Sequence, residues 1–240
     1  MGFSTINESN LHHSLKVLYA EIYQGETEVE QDGYIYDIVS KNGNIIEIQT
    51  KNLSKLLNKI HSTINNDHNV KIVYPLVISK KIKTYDENNK LVSNKKSPVK
   101  GNIYDIFKEI TGLTSILLNP HFSLEIVEIE MTEERKRTNE PVQSKNKKRR
   151  YKKNWIKTNK YLEEIINTRR FNSKKDYLSL LPASLNQEFT TKDLRNELEK
   201  DKTIPARIYK NPNLITWVFL HMELLENTKT LKRTKFFKLK

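Results

Sequence analysis

YIYDIVSKNGNIIEIQTKN, residues 34–52, holds the most informative positions of this 240-residue chain. It reads as two short apolar strands around a turn. Each strand carries one acid, Asp37 and Glu47, and Gln49 follows two residues after the second. A carboxylate in a β-branched run is costly to bury unless it binds something. Two that converge make a site for a hard cation, which takes oxygen ligands. A cation held there could activate water against a phosphate. Convergence depends on the turn. A two-residue Asn42-Gly43 turn sets Ile38 opposite Glu47 and faces Asp37 away. A three-residue loop, Lys41-Asn42-Gly43 with Gly43 left-handed, pairs Asp37 with Glu47. One slipped residue inverts the face, and Gly43 suits both turns. Glu47, Gln49 and Lys51 share a face by alternation.

Working outward, residues 8–20 have helical spacing at Leu11, Leu15 and Leu18, with Asn7 as cap and Glu8 in the first turn. Residues 28–39 and 45–51 read as strands, 53–64 as a helix through Leu53, Leu56, Leu57 and Ile60, and 70–85 as a strand region. Pro75 there argues for a strand end, an edge or a bulge. A polar loop or hairpin tip spans 86–100. A helix follows through Ile103, Ile106, Phe107 and Ile110, then a strand through Leu124 and Ile126. The expectation for residues 1–132 is an α/β domain, a mixed central sheet flanked by helices. Residues 133–153 are charged and lack apolar periodicity, so they read as a basic linker or surface arm. Residues 154–240 read as a smaller helical domain. Tyr161, Ile165 and Ile166 mark a helix, Thr190 with Asp193 a capping-box start, and Pro212 the opening of an apolar helix. The tail TLKRTKFFKLK reads as a strand pair, completing a winged-helix-like outline.

The chain carries 42 Lys+Arg against 29 Asp+Glu, a formal charge of +13. The excess is concentrated. Residues 135–175 hold 16 basic residues and three acids, a surplus equal to that of the whole chain. Such a stretch attracts polyanions, most often nucleic acid, although a solvated linker rich in lysine is the plainer alternative. Lys147, Lys148, Arg149, Arg150, Lys152 and Lys153 are the candidate phosphate contacts, with Lys232 and Arg233 in the C-terminal strand pair. Trp155 reads instead as the start and anchor of the next helix. The absence of cysteine excludes disulfides and Cys-based zinc sites and fits a reducing compartment. No apolar run is long enough for a bilayer, and the first residues do not read as a signal peptide, so a cytoplasmic protein without membrane contact is expected.

An acid on a first helix, an Asp on one strand and Glu-x-Lys on the next resembles the PD-(D/E)XK nuclease superfamily. The segments ESNLHHSLK, DGYIYDIV, GNIIEIQTKN, KIVYPL and SPVKGNIYDIF together resemble an uncharacterised bacterial family joining such a domain to a C-terminal winged helix. The resemblance implies a restriction-endonuclease-like fold and a metal-dependent nuclease acting on DNA. Asp37 and Glu47 would hold Mg2+ or Mn2+, with Glu8 adding a ligand. The family lysine that orients the attacking water is replaced here by Gln49. A Gln can position water but takes no proton at neutral pH. Lys51, one step along the same face, could supply the missing cation. A catalytically inactive nuclease fold that only binds DNA, or serves regulation or interaction, is the alternative, and a structural interaction module a third.

The histidines carry no metal spacing. His12 and His13 are adjacent and diverge by about 100° on a helix. His61, His68, His121 and His221 read as surface or packing residues. There is no glycine-rich phosphate loop and no Ser-centred nucleophile motif. The stretch 212–226 has no Lys or Arg and reads as a core or interface helix, so dimerisation or a protein partner suits the C-terminal domain as well as DNA does.

Overall fold

The computed structural model describes residues 10–144, 147 and 149–240. Helix α1 (Asn10–Ile22) buries Leu11, Leu15 and Tyr19, one face at four-residue spacing. Strands β1 (Glu26–Gln31) and β2 (Tyr34–Val39) pair antiparallel, so the strand expected over 28–39 is divided. Asp32 (φ 53°) and Gly33 (φ 78°) form the break. Two consecutive left-handed residues make the two-residue hairpin turn that Asp-Gly favours. The next loop is the three-residue one. Ile38 pairs with Ile46 and Val39 with Ile45 of β3 (Ile45–Ile48), and Ser40 N–H donates to Asn44 O at 2.9 Å. Gly43 takes φ +74°. This register sets Asp37 opposite Glu47.

A 3-10 turn (Leu53–Leu56) leads into α2 (Leu57–Asn65), which returns the chain to β4 (Val70–Tyr85), parallel to β3. Pro75 lies inside β4. Gln49 N–H donates to Val73 O, and no β3 partner lies beyond Val73. Alternate residues of a strand face the same neighbour, so the N–H that Pro75 lacks falls where β3 has already ended. Strand β5 (Leu91–Lys96) takes over that vacated edge. A 3-10 turn (Ile103–Asp105), started by an Asn102/Asp105 capping box, runs into helix α3 (Ile106–Ile110), and the chain crosses to β6 (Phe122–Val142), parallel to β4 over Phe122–Lys136.

The central sheet is thus mixed, ordered β1-β2-β3-β4-β6-β7 with β5 on the far half of β4. Helices cover both faces, making the chain α/β. Here the structure departs from the sequence reading. Residues 133–142 are not a linker, and 154–171 hold no helix. Strand β6 runs on to Val142, and β7 (Lys153–Phe171) pairs back along it. The apolar alternation of β6 fades after Met131 because its inward positions become charged. Glu133, 1% exposed, is held by Arg135 at 2.5 Å, Lys157 at 2.7 Å and Lys80 at 3.6 Å. A buried carboxylate is tolerable when so paired, but it hides the strand from a hydropathy reading. In β7 the spacing of Tyr161, Ile165 and Ile166 mimics a helical face. The partner strand β6 decides otherwise.

After β7 come α4 (Lys174–Leu178), β8 (Glu188–Thr190), α5 (Thr191–Lys200), α6 (Ala206–Tyr209), α7 (Pro212–His221), β9 (Leu225–Leu231) and β10 (Thr234–Leu239). The Thr190/Asp193 capping box opens α5, and Pro212 opens α7, as the spacing predicts. The three strands form a second sheet, β8-β10-β9.

Two apolar clusters hold the molecule together. One lies under α1, with Ile38, Ile46, Ile48, Val73, Val127 and Ile129. The other lies on the opposite face under α2 and α3 and runs without interruption into the C-terminal part. Phe107 of α3 meets Phe219 of α7 edge to face, centroids 5.3 Å apart. The two parts are packed together, not tethered by a linker. No helix among the described residues is long and apolar enough to cross a membrane.

Candidate functional site

Beyond the Ile38–Ile46 pair, β2 and β3 exchange side-chain bonds in place of backbone ones. Ile48 N–H donates to Asp37 Oδ2 at 2.8 Å, and Asp37 N–H donates to Glu47 Oε1 at 3.2 Å. Each carboxylate therefore caps the opposite strand inside the gap between them. Each also meets a side chain from a different helix. His12 Nε2 of α1 lies 3.5 Å from Asp37 Oδ2 and 2.7 Å from Ile48 O. Lys59 Nζ of α2 donates to Glu47 Oε1 at 2.5 Å and to Ile35 O at 2.6 Å, and lies 4.7 Å from the centre of the Tyr36 ring. His12, Asp37, Glu47 and Lys59 form one polar chain from α1 to α2.

The electrostatics follow from burial and order. Glu47 is 5% exposed. Burial, and then the Asp37 charge, push its carboxyl up to about 7, only partly opposed by Lys59 and the Asp37 N–H. Burial also works to raise Asp37, but His12, the Ile48 N–H and Lys59 outweigh it and hold that carboxyl below its ordinary range. Two acids in one gap are thus pushed apart in proton affinity, a pattern common at functional sites.

The expected water-positioning residues are placed elsewhere. Gln49 Nε2 donates to Asn52 O at 3.3 Å, bracing the loop and not the acids. Lys51 is exposed. Burial first, then Lys157 and the nearby Lys51 and Lys80, hold Lys160 below its ordinary range. Glu8 lies outside the described residues. Among the described residues, no three His, Cys, Asp or Glu side chains are placed to hold one ion. Sequence reading missed Lys59 and took His12 only as diverging from His13. Nothing local marks either residue. Lys59 reads as the polar side of an amphipathic helix, and His12 gains its partners only because α1 lies across the sheet.

The basic stretch is the tip of the β6–β7 ribbon. Arg149 donates to Val142 O at 3.3 Å and Trp155 O at 3.4 Å, and its guanidinium lies 4.2 Å from the Trp155 ring centre. Arg135 lies 3.9 Å and Lys153 5.6 Å from the same ring. Trp155 is therefore a half-buried platform for cations in β7, not the anchor of a helix. Arg150 lies over Tyr151 at 5.2 Å. Lys147 and Lys152 belong to the tip, and Lys148 lies outside the described residues. Lys232 and Arg233 form the turn between β9 and β10 on the second sheet, with Lys232 left-handed.

Residues 9–172 match the family model described as a domain of unknown function, DUF8091. That span ends one residue past β7, so it takes in the central sheet and the whole basic ribbon. The chain is 32% identical over 194 residues to an uncharacterised protein of Treponema pallidum (strain Nichols), covering 81% of this chain and 74% of that protein. No solved structure matches. By the extent of these matches, the chain belongs to the DUF8091 family.

Proposed function

We propose that the protein is a metal-dependent, nuclease-like DNA-binding protein of the cytoplasm that hydrolyses phosphodiester bonds at the gap between β2 and β3. The observation carrying this reading is the pairing of Asp37 with Glu47 where Lys59 reaches the second acid. Its context supports the reading. The order α1-β1-β2-β3-α2-β4, with β3 and β4 parallel and the acids on β2 and β3, is what the PD-(D/E)XK resemblance implies. The C-terminal order β8-β10-β9, with α5, α6 and α7 between its first strand and its hairpin, supports a winged-helix reading of that part.

The donors fit a hard cation. Asp37, Glu47 and the Ile48 carbonyl offer only oxygen, and Asp37 Oδ2 and Ile48 O already converge on His12 Nε2. Asp37 and Glu47, with Glu8, would hold Mg2+ or Mn2+ there. Such an ion polarises a phosphoryl oxygen and lowers the pKa of bound water. The chain's own residues supply the rest. Lys59 is the cation that Gln49 lacks, fixed by Glu47, Ile35 O and the Tyr36 face. It neutralises the acid pair and is placed to orient an anionic phosphate beside it. His12 holds the Ile48 carbonyl until the site is loaded. Lys51, with Lys80, Lys157 and Lys160, raises the local concentration of polyanion.

The test is cleavage of plasmid DNA under Mg2+ or Mn2+ by the full chain, alongside Asp37→Asn, Glu47→Gln and Lys59→Met. Expected is divalent-dependent cutting, lost in all three variants while DNA binding persists. Binding without cutting under any divalent ion would select the inactive, DNA-binding form of the same fold. That second reading is favoured by the two resident side chains, His12 and Lys59, already seated on the acids.

A further inference from the structure

We propose that the face of the β5-β4-β6-β7 arm opposite α1 carries a second site, a phosphate-binding pocket occupied by the backbone of a bound nucleic acid. The inference rests on the nucleic-acid reading above, but on none of the residues of the acid site. The pocket holds about 370 Å3 and is lined by Lys81, Lys83, Asn94, Lys95, Lys96, Thr132 and Glu163.

Strand register assembles it. Lys96, Lys81, Thr132 and Tyr161 form one row across β5, β4, β6 and β7. Asn94 and Lys83 stand beside Glu134 in the adjacent row. Directly opposed residues share a face, so the Lys81 and Lys96 ammonium groups project together, and like charges so placed are destabilising. None of Lys81, Lys83, Lys95 and Lys96 has an ion-pair partner among the described residues, and Glu163 is the sole acid lining the pocket. Other lysines of this arm do find carboxylates, as Lys80 and Lys157 find Glu133 on the α1 face. Lys81, Lys83 and Lys96 share this face without an ion pair among the described residues, and Glu163 is the one acid in the lining.

Thr132 is the independent observation. It is 1% exposed, and its Oγ1 has no hydrogen-bond partner. A buried hydroxyl left unpaired is destabilising. An unmatched donor beside uncompensated ammonium groups suits a tetrahedral oxyanion, which takes an O–H bond and several charge-assisted N–H bonds at once. The row spacing along β4 repeats the cations on one side of the arm, as a phosphate backbone would require.

The experiment compares full-length wild type, Lys81→Gln/Lys96→Gln and Thr132→Val. Calorimetry measures binding of tripolyphosphate, and fluorescence anisotropy measures a mixed-sequence duplex from 50 to 300 mM salt. Expected for the double variant is loss of tripolyphosphate binding. Its slope of log affinity against log salt should be shallower by about 2, at about 0.9 per phosphate contact. In phosphate-free buffer its melting temperature should rise, because the opposed charges are gone. Thr132→Val should weaken tripolyphosphate binding without loss of stability. Equal tripolyphosphate binding by wild type and double variant, or none by either, overturns the pocket. Loss of tripolyphosphate binding with an unchanged duplex slope overturns the backbone as its occupant. Tripolyphosphate binding lost in the double variant, with no duplex binding even by wild type, supports the pocket as a free-phosphate site. That result overturns the nucleic-acid reading instead.

Discussion

Replacing Lys59 by Met removes the one cation on a carboxylate that is 5% exposed. A buried charge stripped of its partner is usually expensive, about 3–5 kcal/mol. Glu47 limits that cost because it can take up a proton. In the wild type it already titrates near 7, pushed up first by burial and then by Asp37. Its folded pKa therefore exceeds its unfolded one, and this group's contribution falls as pH rises from about 4.5 toward the folded pKa. Without Lys59 the folded pKa moves higher, and that decline continues further. At pH 5 both proteins hold Glu47 protonated, so the variant loses only the bond to Ile35 O and the contact with Tyr36, about 1 kcal/mol. At pH 8 the wild type has ionised and the variant has not, which adds about 1.4 kcal/mol for one pH unit. Guanidinium unfolding of both proteins at pH 5 and pH 8 should then show a deficit of about 1 kcal/mol growing to about 2.5 kcal/mol. Adding Glu47→Gln should erase the growth and leave the first part. A deficit that is equal at the two pH values, or larger at pH 5, would refute the account of Glu47 as a buried acid balanced by Lys59.

Two further outcomes follow from the arm. Glu133 is held at about 2, because Lys157, Arg135 and Lys80 outweigh the burial that would raise it. Its stabilisation is present above about 4.5 and is lost as pH falls through 2. After discounting for the half-exposed Lys157 it is worth about 2 kcal/mol. Denaturant titrations of wild type and Glu133→Gln should differ by that amount at pH 7 and converge toward pH 2. A constant gap would contradict the ion-pair assignment. At the tip, the double charge reversal Arg149→Glu/Arg150→Glu should weaken duplex binding for all sequences alike and reduce the salt slope by about 2. Unchanged affinity in an anisotropy assay would remove the ribbon tip from the binding surface.

Much of the candidate site was readable along the chain. The acids and their spacing around a glycine are local, and so are the alternatives for the turn. The capping box at Thr190/Asp193 and the proline opening α7 carry their meaning within a few residues. The Asp32-Gly33 turn was equally local and was missed inside a stretch read as one strand over 28–39. The ribbon was not readable. Its strands hold Glu133, Arg135, Lys157 and Lys160, residues that a hydropathy pattern assigns to solvent, and only cross-strand pairing makes them structural. Chelation of an ion by Asp37 and Glu47 was an expectation of the paired acids. In the structure His12 and Lys59 contact the pair.

Local chemistry alone determined that one acid stands on each side of a glycine-bearing loop, within an alternating pattern of helices and strands. Tertiary structure decided which loop register is used, which side chains reach the acids, and that the most basic segment is a paired ribbon and not a tether. The division has a physical cause. Turn and cap energies depend on neighbours a few bonds away, whereas strand pairing and buried charge depend on partners that only the folded chain brings together.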